Sequence, residues 1–270
     1  MRLFGTSFPA LWGIAVLLAG TIAARAQPAC PTPKAMGFEV QRTIALSMTG
    51  FTEGLEVHDG ALWESTGDLF GNTRINRIDT KSGKVRTLMN AGKRYFGEGL
   101  TFFGGKLYQM TWQEHRVFVF DAQMKPLPEL SNPREGWGLT HDATRLIASD
   151  GSSQIFFLSP ADFTTVATLD VRDGEQPVPR LNELEYANGA IWANVFETWT
   201  LVKISPATGC VEARVNLAPL QARMTATERA AIARDDNFVP NGIAHDPATG
   251  LFTVTGKNWP MLFSGRFVED

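Results

Sequence analysis

Residues 96–108 read FGEGLTFFGGKLY: a short apolar run, a Gly-Gly turn and a second apolar run. That is the pattern of a β-hairpin. The same outline returns as FTEGLEVHDGALW at 51–63, EGWGLTHDATRLI at 135–147, RLNELEYANGAIW at 180–192 and PNGIAHDPATGLF at 240–252. A third apolar run follows four of the copies, at 73–79, 115–121, 153–159 and 200–206. A fourth is legible at 84–90, 164–170 and 210–217.

Anchoring the copies at Glu53, Glu98, Trp137, Asn182 and Asn241 gives spacings of 45, 39, 45 and 59 residues. A four-stranded antiparallel unit of about 40–50 residues has the size of a propeller blade. The longest interval contains residues 219–236, PLQARMTATERAAIARDD, which are helical in composition, with Thr225 and Glu228 spaced as a capping box. The expectation is an all-β chain: a five-bladed β-propeller with a short helical insertion before the last blade. Residues 37–47 are a further strand that could complete a blade and close the ring. Five units consume residues 27–270 and leave no second domain. A β-sandwich would also supply many short strands, but it gives no reason for one element to recur at near-constant spacing.

The first 26 residues stand apart. Arg2 precedes an apolar run at 11–24, and Ala24-Arg25-Ala26 is a small-x-small cleavage site before Gln27. That run is too short for a bilayer-spanning helix of about 20 residues. The reading is a signal peptide (1–26), a periplasmic or secreted chain, and no membrane association after cleavage. Losing Arg2 and Arg25 takes the net charge from −3 to −5. Without a basic excess to neutralise phosphates, no nucleic-acid partner is expected. The two cysteines, Cys30 and Cys210, would close a long loop if paired in an oxidising compartment; the alternative is two separate thiols. No Cys/His spacing suggests zinc, and no catalytic metal is expected. A monomer is expected.

In a propeller the first strand of each blade lines the axis, so the five anchors converge on one channel. None is aliphatic, although burying polar groups without partners is costly. Two carboxylates, Glu53 and Glu98, cannot both ionise cheaply in one channel, so one should have a raised pKa and could hold or pass a proton. Gly54, Gly99, Gly138 and Gly242 follow four of the anchors and remove side chains where strands approach the axis; Glu183 breaks the run. Trp112 and Phe196, each fourteen residues after an anchor, would join Trp137 in an aromatic pocket at the channel mouth. Lys257 is a donor near the same mouth.

The segments FGEGLTFFGGKLYQMTW, EGWGLTHD, RLNELEYANGAIWANVF, PNGIAHD and VTGKNWPMLF occur in order, and with them residues 38–267 resemble the plant- and bacterial-type glutamine cyclotransferases. The resemblance implies a five-bladed propeller without zinc, and conversion of the N-terminal glutamine of peptides or proteins to pyroglutamate with release of ammonia. It implies no required cofactor. It places the catalytic glutamate at Glu98, aromatic neighbours at Trp112 and Trp137, an asparagine at Asn182 and a lysine at Lys257. Glu53 and Phe196 depart from the plant pattern, which has Gln and Trp there.

The reaction joins the α-amine to the side chain's own γ-carboxamide carbon. It needs a proton carrier, an oxyanion donor and a pocket that folds the side chain back. Glu98 is expected to carry the proton, with Lys257 and Asn182 polarising the γ-carbonyl. Trp112, Trp137 and Phe196 would enclose the side chain. Asn241 counts as a substrate-binding candidate, and Glu53 would either anchor the ammonium or tune Glu98. Two other readings stay open. One is a lactonase or sugar dehydrogenase using calcium held by the axial Glu and Asn oxygens; an axial calcium of purely structural type is also conceivable. The other is a propeller that binds a protein partner without catalysis.

Overall fold

The computed structural model describes residues 29–68 and 73–269. The expected signal peptide and its cleavage site lie outside the described residues. Among the described residues no helix is long and apolar enough to cross a membrane.

The chain is built from antiparallel sheets. After an N-terminal strand, β1 (Lys34–Ala45), the first hairpin repeat forms β2 (Thr52–His58), β3 (Ala61–Thr66), β4 (Thr73–Ile78) and β5 (Val85–Gly92). The second forms β6 (Gly97–Phe103), β7 (Lys106–Thr111), β8 (Arg116–Asp121) and the two-residue β9 (Leu130–Ser131). The third forms β10 (Leu139–His141), β11 (Leu146–Ala148), β12 (Gln154–Leu158) and β13 (Thr165–Asp170). Each set is a separate four-stranded sheet with its strands in chain order. A small ribbon of β14 (Arg172–Asp173) and β15 (Gln176–Pro177) leads into the fourth repeat. That repeat comprises β16 (Leu181–Ala187), β17 (Ala190–Val195), β18 (Thr200–Ile204) and β19 (Val211–Asn216). The last strands are β20 (Pro240–Asp246), β21 (Leu251–Gly256) and β22 (Met261–Glu269).

β1 joins the last two repeats into one eight-stranded sheet of order β16-β17-β18-β19-β1-β22-β21-β20. It runs antiparallel to the C-terminal β22, from Met36 opposite Glu269 to Ala45 opposite Met261, and parallel to β19 over Lys34–Met36. The strand expected to complete a blade therefore pairs with the C-terminal strand β22, and its first residues also pair with β19 of the fourth repeat. Beside it, Cys30 and Cys210 form a disulfide with Cα atoms 5.3 Å apart. Of the two options left by the sequence, the bridge is the one formed.

The first strands of the repeats contact one another cyclically: β2 touches β6, β6 touches β10, β10 touches β16, β16 touches β20, and β20 returns to β2. These inner strands are buried over nearly their whole length, whereas β19 alternates buried and exposed residues and β13 is largely exposed. Apolar layers fill the spaces between neighbouring sheets. Met110 and Val117 pack with Leu146 and Phe156, and Ile147 and Phe157 with Leu184 and Ile191. The glycines after the anchors are what let the inner strands meet. A Cβ on Gly99 would lie 2.3 Å from the Leu139 nitrogen, and one on Gly138 2.1 Å from the Asn182 carbonyl oxygen. In the fourth repeat the glycine position is Glu183. Its carboxylate accepts from the Leu55 N–H (3.0 Å) and the Ile243 N–H (2.8 Å) of two other inner strands.

The expected insertion is a 3₁₀ turn (Ala218–Arg223) followed by helix α1 (Ala226–Ile232). Thr225 and Glu228 form the reciprocal capping box. Leu220, Met224 and Ile232 bury its apolar side against Trp259 and Phe263.

Candidate active site

A cavity of about 460 Å³ opens at the end of the inner strands where the anchors lie. Glu53, Glu98, Trp112, Trp137, Asn182, Phe196 and Lys257 all line it. These seven come from strands or strand ends of all five repeats, so the convergence expected from the repeat is met. Asn241, the eighth candidate, does not line the cavity. It sits behind Glu53 and donates from Nδ2 to the Glu53 carboxylate (2.9 Å) and the Thr52 carbonyl oxygen (2.9 Å). It supports the site rather than contacting its contents.

Glu53 is fully occupied. Its other oxygen accepts from Lys257 Nζ at 2.8 Å, and both side chains are almost wholly buried. The Lys257 ammonium also lies 4.6 Å from the centre of the Phe51 ring and 4.7 Å from that of Phe196, a cation held between two aromatic faces. Burial raises the Glu53 pKa to about 7, against the lowering effect of Lys257. Glu98 is different. It is 5% exposed, and its carboxyl has no hydrogen-bond partner among the described residues. Burial pushes its pKa well above the usual carboxylate range and the charge of Glu53 adds to this, with Lys257 opposing. A protonatable group with unused hydrogen-bonding capacity thus faces the cavity beside the Glu53–Lys257 ion pair. The Asn182 side-chain amide is also free: its Oδ1 is buried without a partner.

The aromatic wall is positioned by a residue absent from the sequence-derived candidates. Glu135 accepts from Trp112 Nε1 (3.0 Å), Trp137 Nε1 (3.4 Å) and Gln113 Nε2 (2.9 Å). These bonds favour its charged form, and its pKa is lowered chiefly by Gln113. Trp137 meets Phe196 edge to face at 5.5 Å, and Trp112 meets Phe96 at 5.6 Å. Phe51, Phe96 and Phe238 complete the wall, and Asp68, Asp235, Asn237 and Asn258 bring polar atoms to it. Phe51 and Phe96 had a legible signal, since each stands two residues before an anchor carboxylate and shares its face of an extended chain. Glu135 stands in the same relation to Trp137.

Below the cavity the axis holds further buried carboxyls. Glu56 accepts from the Phe102 N–H (3.1 Å) and Glu185 from the His245 N–H (2.9 Å). Burial raises the Glu56 pKa to about 8, and those of Glu183 and Glu185 well above normal. Among the described residues no group of three or more His, Cys, Asp or Glu side chains is placed to hold a metal ion.

A family model described as glutamine cyclotransferase matches residues 13–267. The chain belongs to the glutamine cyclotransferase family. A glutaminyl-peptide cyclotransferase of Arabidopsis thaliana is 35% identical over 233 residues, covering 82% of this chain and 71% of that protein. Among solved structures, Myxococcus xanthus glutaminyl cyclase superposes with a TM-score of 0.77 at 31% identity, over 88% of this chain and 99% of that one. A PQQ-bound aldose sugar dehydrogenase from Streptomyces coelicolor shares the fold alone, with a TM-score of 0.58 at 13% identity and coverage of 88% and 100%. In this cyclotransferase chain the motifs behind the resemblance supply the walls of a single cavity.

Proposed function

We propose that this protein cyclises N-terminal glutaminyl residues of peptides to pyroglutamate with release of ammonia, using Glu98 as the proton carrier. The observation carrying the assignment is the unpartnered Glu98 carboxyl in an aromatic cavity whose other carboxylate, Glu53, is already tied to Lys257. Family membership and two cyclase relatives point to the same reaction.

In this reading the glutaminyl side chain folds back between Trp112, Trp137 and Phe196. The α-nitrogen bonds to the γ-carbon, the γ-carbon–amide nitrogen bond breaks, and the amine proton leaves with the ammonia. A peptide α-amine has a pKa near 8. Burial raises the Glu98 pKa in the direction of the amine's, which makes transfer from amine to carboxylate and on to the leaving nitrogen less uphill. The Asn182 amide donates to the γ-oxygen as it becomes an oxyanion, and the Lys257 charge stabilises it at short range. Because both Glu53 oxygens are engaged, its role is to tune Glu98 and pin Lys257 rather than to anchor the ammonium.

The cyclic contact of the inner strands supports reading the sheets as five blades, the last made of β20, β21, β22 and β1. The Cys30–Cys210 bridge supports a periplasmic or secreted location, because disulfides persist in oxidising compartments. The test is ammonia release from Gln-initiated dipeptides by the purified protein and by Glu98→Gln. Wild-type turnover with a loss of about 10³-fold or more in the variant is expected. Near-normal activity in a folded Glu98→Gln protein refutes the assigned role.

A further inference from the structure

A peptide that places its N-terminal glutamine in the axial cavity must lead the rest of its chain out. A second cavity lies next to the first. Asp235 and Phe238 line both, and beyond them lies a space of about 560 Å³ between the helical insertion and the segment following β17. Its apolar surface includes Trp199, stacked on Trp259 at 5.2 Å, and Met224. A space of that volume is about 10 Å across, the reach of about three extended residues.

The charge around this groove is one-sided. Glu197, Asp235 and Asp236 face a single guanidinium, that of Arg229. Arg229 is spent on backbone, donating to the Gln221 and Met224 carbonyl oxygens. Glu197 is paired with Arg180. Asp235 accepts the Asn237 N–H at 2.9 Å, and Asp236 has no partner among the described residues. Two carboxylates are therefore left without a cation along the wall that leads from the cavity.

We infer that this groove receives the second to fourth residues of the peptide and selects basic side chains there, with Asp235 and Asp236 as the specificity-determining residues. The inference rests on the reading that the axial cavity holds the N-terminal glutamine. Each aspartate, about 6 Å from a substrate cation in water-like surroundings, contributes about threefold, and the two together about tenfold. The effect should shrink at high salt, because the groove is open to solvent.

The experiment compares kcat/KM for Gln-Ala-Ala-Ala peptides carrying a single Lys or a single Glu at position 2, 3 or 4. Because each aspartate attracts Lys and repels Glu, the wild type should favour Lys over Glu by up to about 100-fold at one of these positions at low ionic strength. Asp236→Asn should cut that ratio about tenfold, and Asp235→Asn/Asp236→Asn should bring it near one. Equal turnover of Lys and Glu peptides by the wild type overturns the groove while leaving cyclisation intact. A preference that survives in the double variant overturns the assignment to these two residues. No turnover of any Gln-initiated peptide overturns the cyclase reading, and the groove with it.

Discussion

Replacing Glu53 by Gln tests the electrostatics at the centre of the site, because the change removes one charge and almost no volume. In the wild type the Glu53 charge raises the pKa of Glu98, while its bond to Lys257 occupies the one cation that would lower it. Both carboxyls line a cavity of about 460 Å³, which if round is about 10 Å across and gives the scale of their separation. At an effective dielectric constant of about 20, two unit charges about 10 Å apart repel by about 1.7 kcal/mol, or about one pK unit. In Glu53→Gln that repulsion disappears and Lys257 is no longer neutralised, so both effects lower the Glu98 pKa. The limb of the kcat/KM–pH profile that belongs to Glu98 should therefore move down by about one unit or more.

The other limb belongs to the substrate amine. The two are told apart by changing the peptide's second residue, which alters the amine pKa and leaves Glu98 alone. Because the pair is buried, raising the salt concentration should change the shift little. A Glu98 limb that stays in place or moves upward in Glu53→Gln refutes the coupling, and with it the role of Glu53 as the tuning group.

Three further outcomes are expected. Removing the Cys30–Cys210 bridge by Cys→Ser replacement at both positions frees a loop closed over a sequence separation of 180 residues; the chain-entropy model puts the loss near 5 kcal/mol. Chemical denaturation should show the loss, and an unchanged midpoint would speak against the bridge acting as the clasp on β1. Glu135→Ala leaves the Trp112 and Trp137 indole N–H groups without their shared acceptor. KM should rise more than kcat falls, with a change in tryptophan emission, and kinetics like wild type would deny it a positioning role. Glu56→Gln concerns stability against pH. Because burial raises the folded Glu56 pKa to about 8 from about 4.5, its favourable contribution is complete below about pH 4.5 and is lost as the pH climbs towards 8. At pH 7 the loss is about 3 kcal/mol. The variant should match wild type near pH 4.5 and be more stable above pH 7 in thermal unfolding, whereas parallel pH curves would show that Glu56 does not titrate between the folded and unfolded states.

Most of the site was legible because repetition does the work of a contact map. Once five hairpins recur at near-equal spacing, symmetry alone brings Glu53, Glu98, Trp137 and Asn182 to one axis, and the structure places all four on one cavity. Asn241 obeys the same symmetry and still misses the cavity, because Glu53 lies in front of it and takes its amide as a donor. What symmetry does not encode was harder to read. β9 in the second sheet is two residues long in a proline-rich stretch, so no apolar alternation announces it. Glu135 matters because two indoles from successive repeats point at the same carboxylate, a coincidence of side-chain directions that a repeat count does not register.

Asp235, Asn237 and Phe238 come from the segment after α1, where the repeat is interrupted and periodicity has nothing to say. Glu183 shows how such interruptions carry information of their own. Four repeats have glycine after the anchor so that backbones can close together. The fourth has a carboxylate that could be tolerated at the buried axis only if it had donors. It finds them in the Leu55 N–H, 128 residues away in the chain, and the Ile243 N–H, 60 residues away. A residue that breaks the pattern at a buried, symmetric position must be bonded across the axis to other repeats, so the exception locates a tie between β16, β2 and β20 that the rule by itself would not.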